Sequence, residues 1–506
     1  MLKQNKTFLL ISPLFLLGYF IIHLLNPTNL PVFADESIYI RWSQLIIDDW
    51  QQYLFFPLND GKTPIFIWAL VPFQLIIKDQ LLAGRFLSML VGLFQAFTMY
   101  LLAKEFRLSK FSSWLAAFFS VVLPYWYFHH HLALMDGMLT LWMSLSLLFL
   151  IRTKIVTNKK KSYSFFNVFL SGCFLGLAIL TKLPAILFIP PLFVIALILH
   201  SPKIQVKKIL VNFIFLLIVA VVMFLLLKLH PSFSQLFSRG SDFLFSWQDI
   251  FFKHKWMETL PSWPTYFGYF GHYLTWPIFF LSLLGIFLNK KRESIAINLG
   301  WILYAIPIML MGRVVFARYL ISVSLFITLA AIITIDQLIK KGLIARIFVA
   351  ILIGITTFQS AKFIYSIQFE PEKANLIQSD REQYLTQWSA GYGVKETVEI
   401  ITNLSNDHSV LVLSEGYFGT LPDGLLMYLH RKELNNLFIE PIGQPISSFN
   451  KSTKDFADYD QVLLVANSHR IILNLSKAKL INEFCRPFDA PCHQIWDITQ
   501  LVNPSP

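Results

Sequence analysis

Long apolar runs alternate with short basic segments over the first 365 residues. A helix needs about 20 mostly apolar residues to cross a bilayer. Runs of that kind lie at 8–25, 81–103, 111–128, 132–151, 165–181, 184–200, 209–228, 272–288, 295–311, 317–336 and 347–364, which predicts about eleven transmembrane helices. The first is long and no small-residue cleavage site follows it, so it reads as an uncleaved anchor. Beyond residue 365 the pattern changes. SVLVLS (409–414), LNNLFIEPI (434–442) and QVLLVAN (461–467) read as strands, with LPDGLLMYLH (421–430) as a helix among them. That alternation predicts a small α/β domain. The expected fold class is therefore a polytopic α-helical membrane protein, with a transmembrane module over 1–365 and a soluble domain over 366–506.

Composition supports this division. Of 506 residues, 55% are hydrophobic and 14% charged, against about 25% charged in an ordinary soluble domain. A soluble enzyme, a disordered chain and a nucleic-acid binder all fit poorly. The net charge of +12 divides into +18 before residue 366 and −6 after it. With the N-terminus inside, the cytoplasmic pieces are 1–7, 104–110, 152–164, 201–208, 289–294 and 340–346. They hold 19 Lys and Arg, among them Lys159-Lys160-Lys161 and Lys290-Lys291-Arg292, and only Glu105 and Glu293 as acids. Short basic loops on one side are the signature of cytoplasmic loops. They account for the charge without nucleic acid. An odd number of spans then places the C-terminal domain outside, in the extracytoplasmic space of a plasma membrane.

The outer side is the built-up one. Residues 26–80 contain two amphipathic stretches, near 37–50 and 64–78, whose Trp42, Trp50 and Trp68 suit helices lying at the membrane interface. The 229–271 loop is similar, with Trp247, Trp256 and Trp263. Cys173 lies in a span and reads as packing. Cys485 and Cys492 would face an oxidising compartment, where geometry decides whether they join.

Several ionisable residues fall at this same face: Asp35 and Glu36 after the first span, Lys62, Arg85, Asp136 after His129-His130-His131, Lys182 and Arg318. Ionisable groups inside spans are costly and mark a function or a buried pair; at helix ends they also snorkel to water. Acids beside several cations suit a site that holds an anion and moves a proton. The His129–His131 run admits two readings, an interfacial polar cap beside Tyr125-Trp126-Tyr127 or metal ligation with Asp35 or Asp136. Three adjacent histidines on a regular helix cannot all face one ion, which favours the cap.

FADESIYIRWSQ (33–44), FFPLNDGKTPIFIW (55–68) and AGRFLSML (83–90) resemble the polytopic GT-C glycosyltransferases, above all glycosyltransferase family 39 and its bacterial relatives. Those include protein O-mannosyltransferases and the enzymes that place aminoarabinose on lipid A. ALMDGMLTLWMSLSLLFL (133–150), AILTKLPAIL (178–187) and RYLI (318–321) extend the resemblance over about residues 8–365. It implies an inverting transfer from a polyprenyl-phosphate-linked sugar to a hydroxyl acceptor on the extracytoplasmic side, with membrane lipids as surroundings and no cofactor required. A divalent metal is left open. It implies Asp35 as general base, with Glu36 its rival and Asp136 the acid opening the fourth span. Lys62, Arg85 and Lys182 match the family's cationic positions, and they and Arg318 are the candidates to neutralise the donor phosphate. In relatives an acid often directly precedes the Lys-Pro element; here Gly61 precedes Lys62, Asp60 stands one residue back, and Thr63 intervenes before Pro64. A transporter or flippase of a lipid-linked glycan also has many spans and buried charges. Inverted repeats are frequent in transporters and none is evident here, which favours the enzyme.

Overall fold

The structure is a computed structural model that describes residues 2–154, 161–199, 206–288, 291–432, 434–449 and 452–503. Lys159, Lys160 and Lys290 of the basic loops lie outside the described residues. The chain forms two compact units. The first comprises Met1–Asn26, Leu54–Ala69 and Arg85–Ser366; the second comprises Pro27–Tyr53, Leu70–Gly84 and Ile367–Pro506.

The first unit is helical. Its main elements are α1 (Leu2–Leu24), a long helix ending at Glu105, the bent pair Lys110–Val122 and Pro124–His131, and then Met135–Lys154, Lys161–Thr181, Ile189–Leu199, Val206–Leu225, Trp263–Tyr273, Trp276–Leu288, Arg292–Met311, Ile321–Leu338 and Leu343–Phe369. Every residue from Ile321 through Asp336 is buried, so this helix lies inside the bundle. Val206–Leu225 and Leu343–Phe369 instead turn Ile214, Ile218, Val222, Ile344, Ile351 and Phe358 outward. Apolar faces of that extent suit a lipid solvent rather than water. The chain is a multi-pass membrane protein.

Among the described residues each of the eleven predicted runs falls mainly on helix, but the count of eleven is not reached by length and composition. Among the described residues six helices are long and apolar enough to cross a membrane, or up to eight if each bent pair is one span. Three of the runs fall on shorter apolar helical stretches, Ser12–Leu24, Phe165–Thr181 and Leu183–Leu199. Hydropathy registers an apolar run whether or not its helix is continuous. Pro124 illustrates the difference: it bends its pair by 51°, because proline lacks an N–H and disfavours helix at the residue before it.

The second unit is built on a five-stranded sheet of order β4-β3-β5-β7-β6, with β3 Val410–Glu415, β4 Leu437–Gly443, β5 Gln461–Asn467, β6 Lys479–Arg486 and β7 Ala490–Asp497. β3 is parallel to both β4 and β5, while β7 is antiparallel to β5 and β6. Alternation fixes the two faces. Val410 and Val412 join Leu463, Val465 and Ile495 on one side; Leu411 and Leu413 join Val462, Leu464 and Ala466 on the other. The β6–β7 hairpin is absent from the sequence-based expectation. A disulfide ties it, Cys485 to Cys492, with Cα atoms 3.9 Å apart.

The N-terminal segment of this unit departs from expectation. The amphipathic stretch near 37–50 reads as an interfacial helix. In the structure α2 (Ala34–Asp48) is part of the sheet domain's core. Val32 and Ile40 pack with Val394, Val398 and Leu425, and Trp42 is buried. Gln44 Nε2 donates to the Met427 carbonyl at 3.0 Å, and Asp48 pairs with His430 at 2.9 Å. Amphipathicity specifies a buried face but not what buries it.

A buried histidine makes the domain sensitive to acid. His493 is 2.9 Å from Thr397 Oγ1. Burial, reinforced by the Arg486 guanidinium, pushes its imidazole down to about 3. The unfolded chain takes up a proton near pH 6.5, which the fold refuses. The contribution is complete above about pH 6.5 and is lost progressively as the pH falls toward the folded value, at about 1.4 kcal/mol per pH unit. The thermal midpoint should therefore fall on acidification below about pH 6.5, and His493→Gln should flatten that slope. Calorimetry giving the same slope for both proteins would refute this role.

Candidate functional site

In the first unit three of the sequence-predicted charges, Asp136, Lys182 and Arg318, gather around one tyrosine. Asp136 lies in the first turn of Met135–Lys154 and is buried. Lys182 ends the Lys161–Thr181 helix in extended conformation, and Pro184 follows at the start of the next turn. The Lys182 ammonium donates to Asp136 Oδ1 at 2.6 Å, with side chains 24% and 6% exposed respectively. The same ammonium is 4.5 Å from the centre of the Tyr319 ring, and the Arg318 guanidinium is 5.4 Å from it. Arg318 is buried on a single 3₁₀ turn, Ala317–Leu320. Tyr125 anchors that turn by donating to the Ala317 carbonyl at 2.6 Å. The pair Thr140–Ser322, 2.7 Å apart, ties the Asp136 helix to Ile321–Leu338. One acid and two cations thus share an aromatic seat in a largely dry place, where fixed charges act strongly on one another and on an anion.

The three histidines are buried on the short helix Pro124–His131 and diverge. His129 packs beside Tyr125 and lies within electrostatic reach of Lys182 and Arg318. His130 stacks on Trp126 and is clasped by two glycines, where a Cβ on Gly92 or Gly137 would come within 2.8 or 2.7 Å of its ring. His131 stacks on Tyr127 and lies within reach of Arg85. Among the described residues the group of three or more metal-capable side chains is Glu483, Cys485 and Cys492, and its two cysteines are disulfide-bonded. His129, His130 and His131 therefore pack as separate rings rather than as a ligand set.

Lys62 belongs to a second charged group. Gly61 adopts a left-handed conformation (φ +69°) and closes the turn Phe56–Asp60. The turn brings Lys62 Nζ to 2.6 Å from Asp60 Oδ2. Arg239 pairs with the other Asp60 oxygen and lies 3.3 Å from Asp242. Burial opposes the Arg239 charge, but the Asp60 carboxylate beside it outweighs this and raises its pKa. Sequence reading missed Arg239; its one signal was the displaced acid, Asp60, without an assigned partner. Arg85 is fully buried.

Asp35 and Glu36 lie in the second unit. β1 (Val32–Phe33) pairs with β2 (Ala390–Gly391), Val32 opposite Gly391 and Phe33 opposite Ala390, and α2 begins at the next residue. Glu36 is buried, and its Oε2 accepts the Phe33 N–H at 3.0 Å. It caps the helix, where a carboxylate is favoured by the exposed N–H groups and the dipole. Asp35, one residue earlier, is partly exposed.

Comparison with known proteins agrees with the motif resemblance. Residues 60–239 match the family model of dolichyl-phosphate-mannose-protein mannosyltransferases. The chain is similar in fold to ArnT from Cupriavidus metallidurans in the apo state, at 15% identity over 99% of this chain and 100% of that one, with a TM-score of 0.61. The same enzyme bound to undecaprenyl phosphate gives 15% identity over the same shares and a TM-score of 0.58. The archaeal oligosaccharyltransferase AglB from Archaeoglobus fulgidus, in complex with an inhibitory peptide and a dolichol-phosphate, gives 11% identity over 91% of this chain and 70% of that one, with a TM-score of 0.53. A search of curated proteins gave no match. Family model and fold together show the resemblance: this chain is similar to the membrane glycosyltransferases of the GT-C superfamily, with the mannosyltransferase family match confined to residues 60–239.

Proposed function

We propose that the protein is an inverting glycosyltransferase that moves a sugar from a polyprenyl-phosphate donor to a hydroxyl acceptor at the extracytoplasmic membrane face. The observation that carries this reading is the buried Asp136–Lys182 pair with Arg318 on the Tyr319 ring. It supplies fixed positive charge for a leaving phosphate. The likeness in fold to an enzyme captured with undecaprenyl phosphate supports the same ligand class. The basic loops and the Cys485–Cys492 disulfide support an outer location for the C-terminal domain.

In the reaction Asp35 accepts the proton of the acceptor hydroxyl. The acceptor oxygen bonds to the anomeric carbon as the bond from that carbon to the phosphate oxygen breaks, with inversion. Polyprenyl phosphate departs with the bonding pair. Lys62, Arg85, Lys182 and Arg318 are assigned to its negative charge, as preorganised cations are in phosphate-releasing sites. Asp136 orients Lys182. No cofactor enters these steps.

Purified protein in nanodiscs, given undecaprenyl-phosphate mannose or undecaprenyl-phosphate aminoarabinose with lipid and glycan acceptors, should release free undecaprenyl phosphate. A flippase would move the donor without cleaving it. Recovery of every donor intact, with transbilayer movement observed, would overturn the enzyme reading.

A further inference from the structure

The first turn of α2 is gripped by two loops of the C-terminal domain. Ala34 donates its N–H to the Ser389 carbonyl at 2.9 Å. The Ser37 hydroxyl lies 2.8 Å from the Ala34 carbonyl and 2.8 Å from the Gly419 carbonyl. One hydroxyl thus bridges the helix and a loop 382 residues away. Asp35 stands between these two anchors, with the capping Glu36 beside it.

The loop that receives Ser37 is itself fixed. Gly419 has φ +108°, and an added Cβ there would meet Trp388 at 3.0 Å and the Ala34 Cβ at 3.8 Å. Its N–H is held by Asp423 Oδ2 at 2.8 Å. Next to it, the Thr420 hydroxyl donates to the Trp388 carbonyl at 2.7 Å. Ser37 is fully buried, and its single proton is shared between the Ala34 and Gly419 carbonyls, so a shift of the loop takes this donor from the Gly419 carbonyl, and an unmatched buried carbonyl is costly. The bond therefore locks loop and helix turn together.

We propose that Ser37, through Gly419, is a positioning residue for the base. On this view the C-terminal domain is part of the catalytic apparatus, because it holds the turn that carries Asp35. The inference rests on Asp35 being the base. A general base must sit within hydrogen-bond reach of the hydroxyl it deprotonates, and a displacement of about 1 Å costs up to about 10²-fold. Hydrogen bonds from the 389 and 419 loops of the same unit to residues on both sides of Asp35 are suited to prevent that displacement.

The test uses the full-length protein in nanodiscs, measuring undecaprenyl phosphate release from whichever of the two donors the native protein turns over. Ser37→Ala keeps the packing and removes the bridge. It should lower kcat by about 10-fold with donor KM unchanged. Gln44→Leu is the control. It removes a bond of the same kind from the same helix to the same domain, Gln44 to Met427, nine residues beyond Asp35. It should lower the thermal midpoint by a similar amount and leave kcat within about twofold of native. Asp35→Asn is measured alongside. Native kcat in Ser37→Ala beside an inactive Asp35→Asn overturns the positioning role and leaves the base assignment standing. Equal losses of kcat in Ser37→Ala and Gln44→Leu also overturn it, since general loosening of the domain then accounts for both. Native kcat in Asp35→Asn overturns the base assignment and the inference together.

Discussion

Asp35→Asn should bind the donor as the native protein does and transfer its sugar at least about 10²-fold more slowly, the usual scale for loss of a general base. The substitution keeps size and hydrogen-bonding shape but cannot take a proton. Asp35 is in the first turn of α2 and partly exposed, and asparagine fills the same volume, so the fold should hold. Glu36 provides the contrast. Its oxygen accepts the Phe33 N–H inside the fold. Glu36→Gln still offers an amide oxygen there and should keep most of its turnover. Glu36→Ala removes the cap, at a cost of about 1 kcal/mol, and should lower both thermal midpoint and rate. Steady-state release of undecaprenyl phosphate, with donor binding measured separately, distinguishes these outcomes. An inactive Glu36→Gln beside a fully active Asp35→Asn moves the base by one residue. Native turnover in both removes the carboxylate mechanism.

What the sequence disclosed follows from how each feature is encoded. β3 and β5 were legible because a central strand buried on both faces reads as an unbroken apolar run, as VLVLSE and QVLLVAN do. β6 was not legible: it is an edge strand with mostly exposed or half-buried positions, so its period is weak. The charges Asp136 and Lys182 stood out against apolar surroundings, although their mutual bond spans 46 residues and no local pattern reports it. Arg239 was invisible for the same reason: its partner Asp60 lies 179 residues earlier. The incorporation of α2 into the sheet domain was hidden because its apolar face would serve equally at a membrane interface. The rings of His129–His131 diverge, since successive helical residues point about 100° apart, and each packs against its own aromatic neighbour.

Lys182→Met should weaken binding of undecaprenyl phosphate by at least about tenfold, the equivalent of about 1.4 kcal/mol, a modest share of a charge-assisted hydrogen bond. From the sequence, a lysine in a tight turn is expected to be replaceable with little loss of folding. The structure changes that expectation, because Lys182 is bonded to Asp136, which is 4% exposed. Methionine leaves the carboxylate without its cation, and removal of one partner from a buried pair costs about 3 kcal/mol. Weaker binding in this variant is therefore open to two physical causes, lost charge or local unfolding. The double variant Asp136→Asn/Lys182→Met separates them. It removes both charges together, so the thermal midpoint should recover most of what Lys182→Met loses, while donor binding stays weak because the cation is still missing. Asp136→Asn alone frees Lys182 from its partner and should leave phosphate binding intact or stronger, yet lower turnover as the ammonium loses its fixed direction. Isothermal titration of each nanodisc-embedded variant with undecaprenyl phosphate, beside its melting curve, gives both quantities. Full recovery of binding in the double variant would show that Lys182 serves the fold rather than the phosphate.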